Sequence, residues 1–206
     1  MRITKEADIR KTEILDKAEY LFDTKGYGKT TINDILKEVN IAKGTFYYHF
    51  ATKEEVMNTI VDRRLDSRIA EMKKFAEDST LSVSEKLFRV VMVQKTGGAL
   101  SSQLHDIENA QLHQRSFVQG FYKLTPVLTE IVEEGIREKI FSTPFPRENV
   151  ELLLSASLLF DEGLFQWPDE ERKRKAKVFI HFIEEVLGAK KGSLVIGENL
   201  DDEQQL

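Results

Sequence analysis

The feature that most constrains this chain is the spacing of its apolar residues, which recur every three or four positions almost from end to end. That spacing matches the turn of an α-helix and not the alternation of a β-strand. It is first seen in the stripe Ile14, Leu15, Ala18, Leu21 and Phe22. The stripe stops before Gly26, a residue type that suits a helix C-terminus, and Tyr27 is placed to pack back on it. The sequence therefore predicts an all-α protein.

Two polar residues mark a short second helix and the turn that follows it. Thr31, with Asp34 three positions later, predicts the first turn of a helix that carries Ile35 and Val39 on one side. Asn40 then predicts a tight turn, because asparagine tolerates the left-handed conformation. A third helix is expected directly after this turn.

Two capping-box patterns predict the starts of longer helices. Thr52 and Glu55 are three positions apart, as are Ser82 and Glu85, so that each pair can satisfy backbone donors at a helix start. The first of these helices is predicted to continue to about residue 76. The second is predicted to stop at the glycine pair 97–98.

The remaining apolar stripes predict helices at about residues 102–112, 114–140, 146–166 and 169–188. Pro126 lacks a backbone N–H and should bend the helix that contains it. Pro168 precedes three acidic residues and suits the first turn of the last helix.

Composition excludes several function classes. The 206 residues include no cysteine, so the chain has no disulfide, no thiol nucleophile and no cysteine metal site. No apolar run is long enough to cross a bilayer, and the opening MRITKEADIRKTE fits neither a signal peptide nor a transit peptide. We therefore expect a cytoplasmic protein with no membrane partner.

The charges are unevenly distributed along the chain. The whole protein carries a net charge of −5, whereas residues 1–53 hold ten Lys and Arg against eight Asp and Glu. A slightly basic N-terminal module on an otherwise acidic chain is compatible with local contact to a nucleic acid.

The stretch AKGTFYYHFATKEE, residues 42–55, presents polar and aromatic side chains where a core helix would be apolar. Two short helices joined by a tight turn, the second one polar, are typical of a helix-turn-helix that enters the DNA major groove. Phe46 and Phe50 are four apart and are predicted to face the core. The candidates for contact with base edges are Lys43, Gly44, Thr45, Tyr47 and Tyr48. His49 and Lys53 follow at the level of the phosphates.

The segment TTINDILKEVNIAKGTFYYHFATKEE resembles the DNA-binding segment of the TetR family of bacterial transcriptional regulators, over about residues 9–60. The resemblance implies an all-helical homodimer that binds a palindromic operator and releases it when a small molecule enters the C-terminal domain. It implies phosphate contacts from Thr31, Tyr48, His49 and Lys53. It implies positions close to the bases for Asn33, Lys43, Gly44, Thr45 and Tyr47.

Two residues depart from the family pattern. Ala42 stands where the family often has serine, so a helix cap and a possible phosphate contact are missing. Asn40 replaces the usual glycine of the turn. The domains expected are a helix-turn-helix domain at 1–53, an effector-binding and dimerisation domain at 54–188 entered by a linking helix at 53–76, and a flexible tail at 189–206.

Two rival motifs are weaker. Lys29 and Thr30 follow Gly28 as in a phosphate-binding loop, but Asp23 stands where the first glycine is needed and a helix precedes the segment. The sequence shows no cluster of a nucleophile, a base and an orienting group, so an enzyme is not expected. Possible metal ligands are His105, Asp106, Glu108 and His113. The two histidines lie two helical turns apart, however, so solvated surface is favoured. Neither a metal nor a cofactor is predicted. His181 is predicted to be packed or at an interface.

The segment 146–187 reads as two strongly apolar helices joined at Trp167-Pro168. Such a pair from each of two subunits can form a four-helix bundle, and this pair is the dimer interface in the family that the chain resembles. Packing within one subunit explains only part of each apolar stripe. The predicted interface residues are Leu152, Ala156, Leu159, Gly163, Phe179, Ile180, Ile183 and Leu187.

The resemblance also suggests residues that line an effector pocket, on helices that surround the ligand in the family. They are Phe88, Phe117, Phe121, Leu124, Leu128, Leu158, Asp161 and Phe165. The alternative is that these aromatic residues are plain core. Asp161 shares a face with apolar residues, so it either binds a polar or cationic effector or lies at the rim, paired with a Lys or Arg.

The sequence therefore predicts a DNA-binding transcriptional regulator that responds to a ligand, most simply a repressor that is released from its operator by the effector. The alternative is a helical module for small-molecule binding or protein interaction that has lost specific operator binding. The sequence leaves open the operator, the effector, and whether the ligand releases or promotes DNA binding.

Overall fold

The computed structural model describes residues 2–95, 110–160 and 165–194. Within these ranges the chain forms eight α-helices and no strand, which confirms the all-α prediction. None of these helices combines the length and the apolarity that a bilayer crossing requires. They are α1 (Arg2–Lys25), α2 (Ile32–Val39), α3 (Lys43–His49), α4 (Lys53–Glu77), α5 (Val83–Lys95), α6 (Ala110–Arg137), α7 (Pro146–Ala156), continued by a 3-10 turn (Ser157–Phe160), and α8 (Asp169–Leu187).

The end of α1 follows from its sequence. Gly26 has a φ of +92°, which a residue with a side chain rarely adopts, and its N–H donates to the Phe22 carbonyl at 3.1 Å. The chain then folds back so that the Tyr27 ring packs edge-on against Phe22, with ring centroids 5.1 Å apart. Both features were predicted.

Three details differ from the sequence prediction. One helix, α6, runs through residue 113, because no proline or glycine lies between residues 110 and 119 to interrupt it. Pro168 is the N-cap residue of α8, one position before the helix begins, and not a residue of its first turn. Glu55 accepts a hydrogen bond from the N–H of Ala51 and not from that of Thr52, although the Thr52 hydroxyl does accept from the Glu55 N–H.

The first of two compact units contains residues 2–66 and 110–116. Its core is a single apolar cluster to which four helices contribute. Burial of these side chains is the main favourable term for a unit of this size. The buried members are Ile14, Leu15, Ala18 and Phe22 from α1, Ile35 from α2, Phe46 from α3, Phe50, and Val56, Met57, Ile60 and Val61 from α4.

Ion pairs between α1 and α4 extend this unit beyond the predicted boundary at residue 53. Arg63 contacts Asp16 at 2.6 Å, Arg64 contacts Asp23 at 2.7 Å, and both guanidinium groups also bind Glu19. The three carboxylates lie at intervals of three and four residues, which places them on one face of α1. The division between the two units therefore falls inside α4, after residue 66.

The second unit contains residues 67–95, 117–160 and 165–194. Its buried apolar side chains come from every helix in it, and include Val83, Val90, Val127, Ile131 and Leu154. Among them lies a charged side chain, Lys86, whose ammonium is 2.7 Å from both carboxylate oxygens of Glu134.

The segment after α8 is held against this unit, so the flexible tail predicted from residue 189 does not begin there. Leu194 is buried, and its N–H donates to the buried Glu184 carboxylate at 3.2 Å. Burial raises the pKa of Glu184, but hydrogen bonds from the backbone N–H groups of Gly192, Leu194 and Ser193 outweigh it, so that the net pKa is lowered. The sequence did not predict this contact, because the segment is polar and its partner, the Glu184 side chain, lies ten residues earlier in the chain.

We expect Glu184→Gln to reduce stability by about 1 kcal/mol at neutral pH, because the amide accepts these hydrogen bonds without a charge. A lowered pKa contributes stability that is present above the unfolded value and is lost as the pH falls through the folded one. The wild type should therefore lose stability below about pH 4.3 more steeply than the variant. Urea unfolding between pH 3 and 7 measures this, and equal slopes would contradict it.

Candidate nucleic-acid interface

The start of α2 is fixed by a capping box at Thr31. The Thr31 hydroxyl accepts from the Asp34 N–H at 3.1 Å and donates to the Asp34 carboxylate at 2.8 Å. Lys25 donates to the same carboxylate at 2.7 Å, and with the Thr31 groups it holds the pKa of Asp34 well below its usual range. A phosphate contact from the Thr31 hydroxyl would replace its bond to Asp34, whereas Asn33 is exposed.

The turn between α2 and α3 has the predicted geometry. Asn40 adopts the left-handed conformation, with φ 57° and ψ 53°, and its N–H donates to carbonyls at the end of α2. The Ile41 N–H donates to the Leu36 carbonyl at 3.1 Å, which closes the turn. Ala42 then occupies the cap of α3 and makes no side-chain cap hydrogen bond, as the sequence predicted.

One face of α3 is anchored in the core. Phe46 and Phe50 are buried, and their ring centroids are 6.1 Å apart. This confirms the predicted core role of both residues. Since side chains four apart lie on one face of a helix, the positions between them turn away from the core.

The opposite face of α3 is open. Tyr48 is 75% exposed and Tyr47 is 47% exposed, and the Lys43 ammonium lies 5.8 Å from the centre of the Tyr47 ring. Gly44 is exposed and has an ordinary helical φ, and a methyl group placed on it would meet nothing within 4 Å. Neither backbone geometry nor packing against the part of the chain that the structure describes requires glycine there.

The other two predicted contacts on this element are partly covered. Thr45 and His49 are half-buried, and the His49 ring packs edge-on against Tyr48 with centroids 4.9 Å apart. This contact limits the positions that the Tyr48 ring can take.

Lys53, the first residue of α4, is half-buried. Its ammonium donates to the Tyr27 carbonyl at 2.8 Å and to the Thr30 carbonyl at 2.9 Å. It also lies 4.2 Å from the centre of the Tyr27 ring. Sequence reasoning missed these contacts because the partners lie 26 and 23 residues earlier in the chain.

The residues predicted to line an effector pocket are only partly brought together. Phe117 and Phe121 are half-buried with ring centroids 6.4 Å apart, Leu124 is buried, and Phe88 and Leu128 are half-buried. Separately, Phe165 is exposed and stacks on Trp167, and the Lys175 ammonium lies 3.9 Å from the centre of the Trp167 ring.

The predicted dimer residues also divide. Leu152 is 62% exposed, and Ala156, Phe179, Ile180 and Ile183 are half-buried. Leu187 was wrongly assigned, because it is fully buried in its own subunit and cannot reach a partner.

Sequence reasoning also missed the most exposed apolar residues of α8. Val178 is 63% exposed and Phe182 is 44% exposed. They are four apart and therefore share a face of the helix, a signal that the sequence contained. His181 is exposed, 4.0 Å from the Glu185 carboxylate, so it is not packed within the chain. The alternative prediction, a position at an interface, stays a prediction.

Several predicted residues lie outside the described part of the structure. Asp161 and Gly163 are among them, as are the side chains of Leu158 and Leu159. The possible metal ligands His105, Asp106 and Glu108 are also outside it, as is the side chain of His113.

Two family models match the sequence of this chain. Residues 14–60 match the family model described as bacterial regulatory proteins of the tetR family. Residues 95–182 match a second model, described as the C-terminal domain of tetracyclin repressor-like proteins. The chain belongs to the TetR family of transcriptional regulators. The resemblance inferred from residues 9–60 is thereby confirmed.

Curated HTH-type regulators match shorter parts of the chain. A transcriptional regulator of Bacillus subtilis, YfiR, is 33% identical over 84 residues, which are 40% of this chain and 41% of that protein. The biofilm operon icaADBC negative transcriptional regulator IcaR of Staphylococcus epidermidis is 48% identical over 52 residues, 25% of this chain and 28% of that protein. The chain thus spans less than half the length of these relatives.

Solved structures of TetR-family regulators share the fold over most of the chain. One from Pectobacterium atrosepticum superposes with a TM-score of 0.65 at 15% identity, covering 91% of this chain and 97% of its own. One from Thermobifida fusca has a TM-score of 0.60 at 20% identity, covering 90% and 99%. TetR-family proteins are DNA-binding regulators and not enzymes, which agrees with the rejection of the phosphate-binding loop at Lys29.

Proposed function

We propose that this TetR-family regulator is a cytoplasmic repressor that binds a palindromic operator as a homodimer and is released by a small-molecule effector. The observation that carries the proposal is the two-sided α3, with Phe46 and Phe50 in the core and Tyr47 and Tyr48 exposed on the other side. Aromatic side chains that are exposed on a surface helix contribute little to the stability of the fold, so their presence favours a role in binding.

The chemistry of this face suits DNA. Lys43 offers a cation to guanine, Tyr47 and Tyr48 offer hydroxyl groups and rings, and Gly44 permits close approach of the backbone. Together with Thr31, Asn33, Thr45 and His49 they form the contact set that we propose. The relatives whose names describe negative regulation support a repressor.

The exposed apolar residues on α7 and α8 support a homodimer. Leu152, Val178 and Phe182 would lose contact with water if a second copy packed against them, which is the main favourable term in association. A two-fold axis would then relate two copies of α3, so that each would meet one half of a palindrome about 34 Å from the other.

An effector would act through the difference between its affinities for two arrangements of the dimer. α4 contributes residues to both compact units, as α6 also does, so each of these helices is a covalent link along which a change in one unit can alter the other. The half-buried pair Phe117 and Phe121 supports an apolar effector site in the second unit.

Selection from a pool of random DNA duplexes tests the proposal without knowledge of the operator. We expect the protein to enrich a two-fold symmetric sequence and to bind it with an affinity that falls steeply with salt. Sedimentation of the free protein should give the mass of a dimer. Enrichment of no sequence, at any effector-free condition, would favour the module that binds ligands or proteins but not DNA.

Replacing Gly44 with alanine should move fold stability and DNA affinity in opposite directions. Alanine favours a helix over glycine by up to about 1 kcal/mol, and none of the described residues obstructs the added methyl group. The same methyl group would hold the backbone of α3 away from the DNA. Thermal unfolding and anisotropy on the selected duplex measure the two effects, and a variant that binds as tightly as wild type would remove Gly44 from the interface.

A further inference from the structure

The ammonium of Lys53 closes the helix-turn-helix on itself. Its two carbonyl acceptors belong to Tyr27 and Thr30, in the connection between α1 and α2, whereas Lys53 begins α4. The segment between them contains α2, the turn and α3. One side chain thus joins the entry of the motif to its exit.

The connection that Lys53 holds is tightly folded. Thr30 is buried, its N–H donates to the carbonyls of Gly26 and Tyr27 at 3.1 and 3.2 Å, and its hydroxyl donates to the Gly26 carbonyl at 2.8 Å. The Tyr27 and Thr30 carbonyls lie at hydrogen-bond distance from the same ammonium. Hydrogen bonds from a charged donor are roughly twice as strong as neutral ones, so the ammonium stabilises this arrangement strongly.

The position of Lys53 on its helix is otherwise unfavourable. A cation in the first turn of α4 lies at the positive end of the helix dipole. The two carbonyls and the Tyr27 ring, 4.2 Å away, supply the negative potential that offsets this. The two carbonyls occupy two of the three N–H donors of the ammonium, which reduces its capacity to bind a DNA phosphate.

The residue after the connection is Thr31, which caps α2. A loosened connection would therefore disturb the start of α2, including Asn33. It would also alter how α3 packs, because Ile35 of α2 lies in the same core cluster as the buried residue of α3. The effect on DNA would come from the shape of the motif and not from a missing charge.

We infer that Lys53 is a positioning residue, whose ammonium fastens the α1–α2 connection to the start of α4, and that it does not serve as a phosphate ligand. This rests on the proposed DNA-binding function only for its consequence on DNA. The fastening itself is a property of the free protein.

Hydrogen exchange of the Thr30 amide in free protein tests the fastening directly. In Lys53→Met the amide should exchange at least about tenfold faster than in wild type, because opening of the connection no longer breaks two charge-assisted bonds. Lys29→Met is the matched control, since it removes an exposed lysine from the same connection and should leave the rate unchanged. Lys53→Gln provides the measurement if the methionine variant does not fold.

Salt dependence on the selected duplex separates the two roles of Lys53. A lost phosphate contact lowers the slope of log K against log salt by about 0.9 per contact, whereas a misplaced helix weakens binding with the slope kept. We expect Lys53→Met to bind about tenfold more weakly or worse with an unchanged slope. A lowered slope for Lys53→Met, or an unchanged Thr30 exchange rate, overturns the inference. If wild type selects no duplex, the proposed function fails, and the exchange rates alone decide whether Lys53 fastens the connection.

Discussion

Replacing Tyr47 and Tyr48 together with alanine should abolish specific DNA binding and leave the protein folded. Each side chain is proposed to contact DNA, and loss of one such contact costs about 1–3 kcal/mol. The double variant should therefore bind the selected duplex at least about thirtyfold more weakly, the lower end of that range for two contacts. Anisotropy on this duplex and on a scrambled one measures the loss of affinity and of specificity.

The fold should tolerate the change because the rings lie outside the core. Tyr48 is 75% exposed, and substitutions at exposed positions usually alter stability by less than about 0.5 kcal/mol. Tyr47 packs edge-on against Phe46, with ring centroids 5.5 Å apart, so it carries the larger share of any cost. Alanine also has the higher helix propensity.

Tyr122→Ala is the matched control for this pair. Tyr122 is 70% exposed on α6, so it removes the same side chain from another helix surface. It should bind the selected duplex as wild type does. If the double variant kept wild-type affinity, or if Tyr122→Ala lost as much, the open face of α3 would not be the DNA-binding surface.

Local sequence signals predicted the start and end of the helix-turn-helix well. Thr31 and Asp34 lie within one turn, so their reciprocal hydrogen bonds are visible in the sequence. Asn40 could be predicted because its left-handed conformation is a preference of the residue itself. Phe46 and Phe50 could be predicted because helix geometry alone puts them on one side.

Contacts between residues far apart in sequence could not be predicted in this way. Glu19 meets Arg63 and Arg64 only after α1 and α4 have packed, and no local preference of a charged residue selects its partner. The same holds for Lys53 and the Tyr27 carbonyl. At Leu187 the apolar pattern gave a buried face correctly but did not show whether the subunit or a partner buries it.

Replacing Glu134 with leucine should destabilise the second unit far more than any surface substitution. Lys86 is 3% exposed, and Glu134 supplies both oxygens that its ammonium binds at 2.7 Å. Removal of one partner of a buried ion pair costs about 3–5 kcal/mol, because the other charge stays buried without its hydrogen-bonded counter-ion. Urea unfolding followed by circular dichroism, at one protein concentration, measures the loss.

The exposed pair Lys17 and Glu38 serves as the control. Their charged atoms are 3.1 Å apart on the surface, where ion pairs contribute at most about 1 kcal/mol. Glu38→Leu should therefore change stability by less than about 1 kcal/mol. An equal loss in the two leucine variants would mean that burial of Lys86 is not the cause.

The reverse substitution should cost less, because the two partners are buried unequally. Glu134 is 25% exposed, so after Lys86→Met its carboxylate can still be hydrated. After Glu134→Leu the Lys86 ammonium is poorly hydrated, because its side chain is only 3% exposed. The double variant Lys86→Met with Glu134→Leu leaves no charge to desolvate, and replacement of both partners by apolar residues is often neutral or stabilising. We therefore expect the double variant to be more stable than Glu134→Leu alone. If it is less stable, the ion pair holds α5 against α6 through its geometry and not through the neutralisation of a buried charge.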